Sequence, residues 1–177
     1  MSKSVFGIAT THGQAERIVE ELQAQGFAAS EISVLMPDTG GTHDFGHVKA
    51  TKAPEGAATG ATAGGATGGV IGLLAGIGAL AIQGVGPFIA AGPIMAALSG
   101  AAVGAATGGV VGGLIGLGIP EIEAKRYEEK LKKGNYLVAV HTEESEDVDR
   151  AKQIFKTASA EDVTTVKEAS APKRLNK

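Results

Sequence analysis

The sequence predicts a mixed α+β domain interrupted by a long helical hairpin. Three observations carry that expectation. Short β-type runs alternate with amphipathic helical patterns over the first 36 residues and again beyond residue 120. Between Glu55 and Glu121 there is no charged side chain. Within that stretch glycines recur every fourth residue, and residues four apart share one helix face.

The first element is a strand over Ser4 to Thr10 (SVFGIAT). Thr11 to Gln25 follows as an amphipathic helix, with Ala15, Ile18, Val19 and Leu22 at helical spacing. Thr11 is its N-cap, and Gln14 completes a T-x-x-Q capping-box pattern. Gly26 stops it. Glu31 to Met36 (EISVLM) is a second strand, which closes a βαβ unit. Residues 37–54 are turn-rich and read as a loop.

The glycine-rich middle contains two series. Gly56, Gly60, Gly64, Gly68, Gly72 and Gly76 form the first; Gly100, Gly104, Gly108, Gly112 and Gly116 form the second, extended backward by Gly92. Ala66–Gly72 (ATGGVIG) and Ala106–Gly112 (ATGGVVG) repeat at an offset of 40 residues, which implies two similar units. The reading is an antiparallel pair of helices, 55–83 and 88–118, each about 42–46 Å long at 1.5 Å per residue. Eleven glycines inside helices cost on the order of 10 kcal/mol in helix propensity. Packing of another backbone into the side-chain-free grooves would offset that cost, as GxxxG faces do between membrane helices. These twelve glycines are the candidate assembly face.

After the middle, Pro120 opens a charged helix, Glu121 to Lys133, ended by Gly134. Tyr136 to His141 is a strand, Ser145 to Ala158 a helix with Val148, Ala151, Ile154 and Phe155 on one face, and Val163 to Lys167 a last strand. The expected boundaries are 1–36 for the first βαβ half, 55–119 for the hairpin, 120–168 for the second half with its extra helix, and 169–177 for a frayed tail. Without the middle, the element order is that of a ferredoxin-like βαβ-βαβ fold.

Composition narrows the function classes. The chain has no cysteine, which excludes disulfides and thiolate chemistry. Residues 1–55 hold four basic and seven acidic side chains, and residues 121–177 hold twelve of each, so no basic nucleic-acid footprint is present. No phosphate loop occurs, since no lysine follows the glycines. His43, Asp44 and His47 share a turn-rich loop without a third metal ligand in view, and read as solvated. His12, at a helix start, has the place to help hold an anion but reads as an exposed residue beside the cap. His141 reads as structural. The acidic run Glu143, Glu144, Glu146, Asp147 and Asp149 compensates a helix macrodipole. No catalytic residue, cofactor or metal site is expected, and the chain reads as non-enzymatic.

Two readings of the middle stand. In the first, Val70 to Ile89 and the return segments Phe88–Leu98 and Val103–Ile119 enter a membrane; Lys49, Lys52 and the basic residues from Lys125 to Lys133 then keep both flanks cytoplasmic. In the second, hairpins from many copies bury one another as a particle or filament without lipid. A third class, a small-ligand sensor pairing across its sheet, keeps the same frame. The N-terminus lacks an apolar run of signal-peptide length, so the expected location is the cytoplasm or the inner membrane.

At Gly84–Ile94 (GVGPFIAAGPI) and Gly118–Glu128 (GIPEIEAKRYE) the chain resembles a family of small bacterial stress-response proteins, described as low-temperature-induced or general stress proteins, with a domain also seen in a heat-induced stress protein. The likeness extends over most of the chain. It implies a stress-linked, non-enzymatic role in a bacterial cytoplasmic or membrane setting. It carries over no catalytic residue and no cofactor.

Overall fold

The computed structural model describes residues 2–37, 78–82, 86–94 and 105–167. They form a mixed α+β fold around an antiparallel sheet. In chain order the elements are β1 (Lys3–Ala9), α1 (His12–Ala24), β2 (Ile32–Pro37), β3 (Gly78–Ile82), β4 (Gly86–Ala91), α2 (Ala105–Gly116), α3 (Glu121–Lys132), β5 (Tyr136–Thr142), α4 (Ser145–Thr157) and β6 (Glu161–Lys167). The six strands lie in the order β3-β4-β2-β5-β1-β6, and every neighbouring pair is antiparallel.

The elements at both ends of the chain lie within a residue or two of their expected positions. Thr11 caps α1 by accepting the Gln14 N–H at 3.2 Å. The reciprocal arm goes one residue further back than a capping box: Gln14 Oε1 accepts from the Thr10 N–H at 2.8 Å. Gly26 follows α1 at φ +94°, a conformation glycine adopts without steric cost.

The middle departs from expectation. Where a continuous helix 55–83 is expected, Gly78–Ile82 is a strand; where a helix 88–118 is expected, Gly86–Ala91 is a strand paired with both β3 and β2. Among the described residues of the middle, a helix spans Ala105–Gly116, and Gly109 (φ 54°, ψ −139°) breaks it. The physical reason lies in the composition of 78–91. Leu, Ile and Phe there alternate with small residues, and Gly84, Gly86 and Pro87 are poor helix residues. A strand at the edge of an existing sheet gives those backbone groups partners that a glycine-diluted helix holds weakly. Residues 55–77, 83–85 and 95–104 of the expected hairpin, the loop 37–54 apart from Pro37, and the tail 169–177 lie outside the described residues.

The sheet is covered on both faces. On one side α1 and α4 pack Ile18, Leu22, Ile154 and Phe155 against Val5, Val34, Val138 and Val140. On the other, α2 and α3 pack Val110, Leu114, Tyr127 and Leu131 against Phe6, Leu35, Leu137 and Ala139. Burial on both faces explains why the central strands read as continuous apolar runs such as LVAV. Gly7 makes room for one contact: a Cβ there would lie 2.5 Å from the Phe155 ring.

Helix α3 therefore lies on the sheet. Ala124, Tyr127 and Leu131 face inward, the Tyr127 ring sits 6.5 Å from that of Phe6, and its hydroxyl donates to the Asp162 carbonyl at 2.7 Å. The turn before α3 puts Gly118 at φ +93°, and the Ile119 N–H reaches back to the Leu114 carbonyl at 3.1 Å. This is a left-handed helix stop.

Candidate functional site

The site with most to explain is the place where the uncharged segment crosses onto the sheet. Strand β4 ends at Ala91, and Gly92 follows at φ +79°. A Cβ on Gly92 would lie 2.0 Å from the Ile32 carbonyl oxygen, so only glycine lets the chain pass the start of β2 this closely. Pro93 has no N–H. The next donor, the Ile94 N–H, bonds to Ser33 Oγ at 3.1 Å, and the Ile94 side chain is buried with Leu35 and Phe88.

Ser33 belongs to a polar row under this turn. Ser4, Ser33 and His141 stand on three adjacent strands, β1, β2 and β5. Ser4 Oγ lies 2.8 Å from His141 Nδ1, and Ser33 Oγ lies 2.9 Å from His141 Nε2. Both serines are fully buried, and the Phe6 ring meets the imidazole edge-on at 6.3 Å. The row has the residue types of a serine nucleophile and its base. The two hydroxyls are buried, while the ring is partly exposed.

The sequence reads His141 as structural, at the end of a strand, and singles out neither serine. A partial signal was present: Ser33 interrupts the apolar run ISVLM, while Ser4 precedes the run VFGIA and His141 ends the run LVAV. Only strand register brings the three residues together.

Of the sequence-derived assembly face, Gly92, Gly108, Gly112 and Gly116 lie among the described residues. Gly56, Gly60, Gly64, Gly68, Gly72, Gly76, Gly100 and Gly104 lie outside the described residues. Gly92 sits in the left-handed turn, which corrects its expected place on a helix face. Gly108 and Gly112 lie in α2 on either side of the break at Gly109, and Gly116 ends that helix with nothing within 4 Å of a Cβ built there.

The other candidate groups are accounted for locally. His12 pairs with Glu16 at 3.2 Å and leans on the Tyr136 ring at 5.7 Å. His43, Asp44 and His47 lie outside the described residues. Among the described residues no group of three His, Cys, Asp or Glu side chains is placed to hold a metal. In the acidic run, Glu146 and Asp147 occupy the first turn of α4, where they favour the helix dipole, and Asp147 pairs with Arg150. A groove of about 500 Å³ runs between α1 and α4, lined by Arg17, Glu20, Gln25, Arg150 and Gln153. Arg150 lies over the Phe27 ring at 5.4 Å.

At the far edge of the frame, Lys130 bridges Glu161 and Asp162, while Arg126 lies 3.4 Å from Asp162. The hydrogen bond from Lys130 holds the Asp162 carboxyl below the usual aspartate range. Burial pushes the Tyr127 phenol up to about 12.

No family model, no curated protein and no solved structure matches this chain.

Proposed function

We propose that this is a non-enzymatic, stress-associated protein that self-associates through its glycine-rich, uncharged segment, carried on a ferredoxin-like βαβ-βαβ frame. The observation that carries the reading is the four-residue glycine spacing across a stretch with no charge. Such a stretch costs helix stability and solubility unless another backbone covers it. The order β2-β5-β1-β6 within the sheet supports the frame, and Ile122 and Ile115, 76% and 43% exposed, leave apolar surface beside α2. The stress association rests on the sequence resemblance.

Of the two forms of assembly, the lipid-free particle or filament has the better support. A hairpin spanning the membrane needs 70–89 as helix, and within it 78–82 and 86–89 are strands paired into the sheet. No helix among the described residues is long and apolar enough to cross a membrane. A homo-oligomer attached to a membrane surface keeps the same contacts. A sensor pairing across the sheet is less well supported, because α2 and α3 cover the face it would use.

The test is particle size. Full-length protein purified without detergent should sediment as large, uniform particles. The double variant Gly68→Leu/Gly108→Leu should fall to small species with unchanged circular dichroism. An unchanged sedimentation profile in the variant would show that the glycines are not the contact. Flotation with liposomes and resistance to a carbonate wash would move the reading to membrane insertion.

A further inference from the structure

We propose that the outer edge of β3 is a docking edge for a second copy of this chain: two β3 strands pair antiparallel about a twofold axis at Leu80 and join two sheets into one.

The sheet ends in two outer strands, β3 and β6. An outer strand leaves a row of backbone N–H and C=O groups that another strand can pair with, and charges, prolines and bulges discourage that pairing. Strand β6 carries such devices. Its sequence, EDVTTVK, includes Glu161, Asp162 and Lys167. Its register against β1 shifts between Phe6 and Ile8, and beside the shift Asp162 takes φ +48°. The Asp162 carbonyl accepts from the Tyr127 hydroxyl, and its carboxylate is held by Lys130 and Arg126. This edge is irregular, charged and pinned to α3.

Strand β3 carries none of these devices. Its sequence, GALAI, has no charge and no proline. The nearest charged residues along the chain are Glu55 and Glu121. Its register against β4 runs without a shift from Gly78↔Ala90 to Ile82↔Gly86. Among the described residues no strand pairs with its other side.

The occupant such an edge takes is an extended, uncharged strand, bound through main-chain hydrogen bonds. Every copy of the chain supplies one in β3 itself. Antiparallel pairing about a twofold sets Gly78 opposite Ile82 of the second copy, Ala79 opposite Ala81, and Leu80 opposite Leu80. All five positions are used, and no like charges are opposed. A twofold contact closes at two copies. The edge therefore makes a dimer, and growth to larger particles rests on the glycine-mediated self-association proposed above.

The chain has no cysteine, so single cysteines placed in the full-length protein report the contact on mild oxidation. Leu80→Cys should form a disulfide-linked dimer about ten times faster than Thr164→Cys on the β6 edge, because directly opposed Cα atoms lie about 4.5–5.5 Å apart, within disulfide reach. Ala79→Cys and Ala81→Cys, co-expressed with different tags, should link to each other. Neither should link to itself, because the same residue in both copies then stands two positions apart along the strands, beyond the limit of about 7 Å. If Leu80→Cys does not fold, the off-centre pair gives the same reading. Equal rates at Leu80 and Thr164 overturn the β3 edge, and so does linkage of Ala79→Cys or Ala81→Cys alone as readily as together. A segment of the same chain lying along β3 would leave all of these proteins monomeric on the gel, which overturns it too. Sedimentation of the Gly68→Leu/Gly108→Leu variant separates the two ideas. Small species that still cross-link through Leu80→Cys keep both. Wild-type particle size with cross-linking intact removes the glycine contact alone, and loss of particle size in that variant without cross-linking at Leu80→Cys removes the β3 edge alone.

Discussion

Gln14 shows how much a single side chain can hold. It is nearly buried, and its amide nitrogen donates to the Ala158 and Ser159 carbonyls, both at 2.8 Å. Its oxygen accepts from the Thr10 N–H and the Thr10 hydroxyl. The start of α1 is thereby fastened to the end of α4, where Ser159 sits at φ 58°. Gln14→Leu removes all four bonds and should cost on the order of 2–4 kcal/mol in urea unfolding. Gln14→Glu turns a carboxylate toward two carbonyl oxygens. It should be destabilising at pH 7 and partly recover by pH 4, where the carboxyl is protonated and can donate. A leucine variant as stable as wild type would show that the clip contributes nothing. The T-x-x-Q pattern made Gln14 legible as a capping residue. The role across the domain was not, because Ala158 and Ser159 lie more than 140 positions away.

Among the elements, β4 and its exit carry the lesson. The sequence places Gly92, eight residues before Gly100 on the four-residue spacing, on a helix face, and Gly92 is instead the bend that lets β4 run beside β2. Periodicity is blind to this difference, because a glycine leaves the same mark in a helical groove, a left-handed turn and a close backbone approach. Gly92→Ala would place a methyl against the Ile32 carbonyl in a backbone conformation that alanine rarely adopts. It should destabilise by a few kcal/mol. Gly116→Ala, with open space at its Cβ, should be neutral to slightly stabilising. Thermal melts of the two variants check the contrast. Equal melting temperatures would mean that β4 does not depend on this turn.

At the scale of the whole molecule, three layers share one sheet, and Tyr127 ties the outermost of them to the β6 edge. Its phenol is pushed up to about 12 by burial, against about 10 in an unfolded chain. The unfolded state gives up the proton first, so this contribution is complete below about pH 10 and is lost as pH rises toward 12. The loss is on the order of 2–3 kcal/mol. Urea unfolding from pH 8 to pH 11.5 should show a fall in stability that is reduced in Tyr127→Phe. Identical slopes in the two proteins would refute the assignment. Burial also raises the other tyrosine, Tyr136, so some slope remains in the variant.

What the chain's order of residues established unaided is the local grammar: the βαβ pattern at each end, the caps at Thr11 and Gly26, the acidic start of α4 and the uncharged middle. These signals act within a few residues, through propensity, capping and periodicity, and so survive in one dimension. Tertiary structure alone decided that 78–91 joins the sheet as strands, that α2 and α3 cover the face a simpler frame leaves open, and that Ser4, Ser33 and His141 meet. Each of these depends on strand register or on competition for a surface between segments distant in sequence. An edge strand forms only where a partner strand already stands, and a hydrogen-bonded row across three strands exists only once they are aligned.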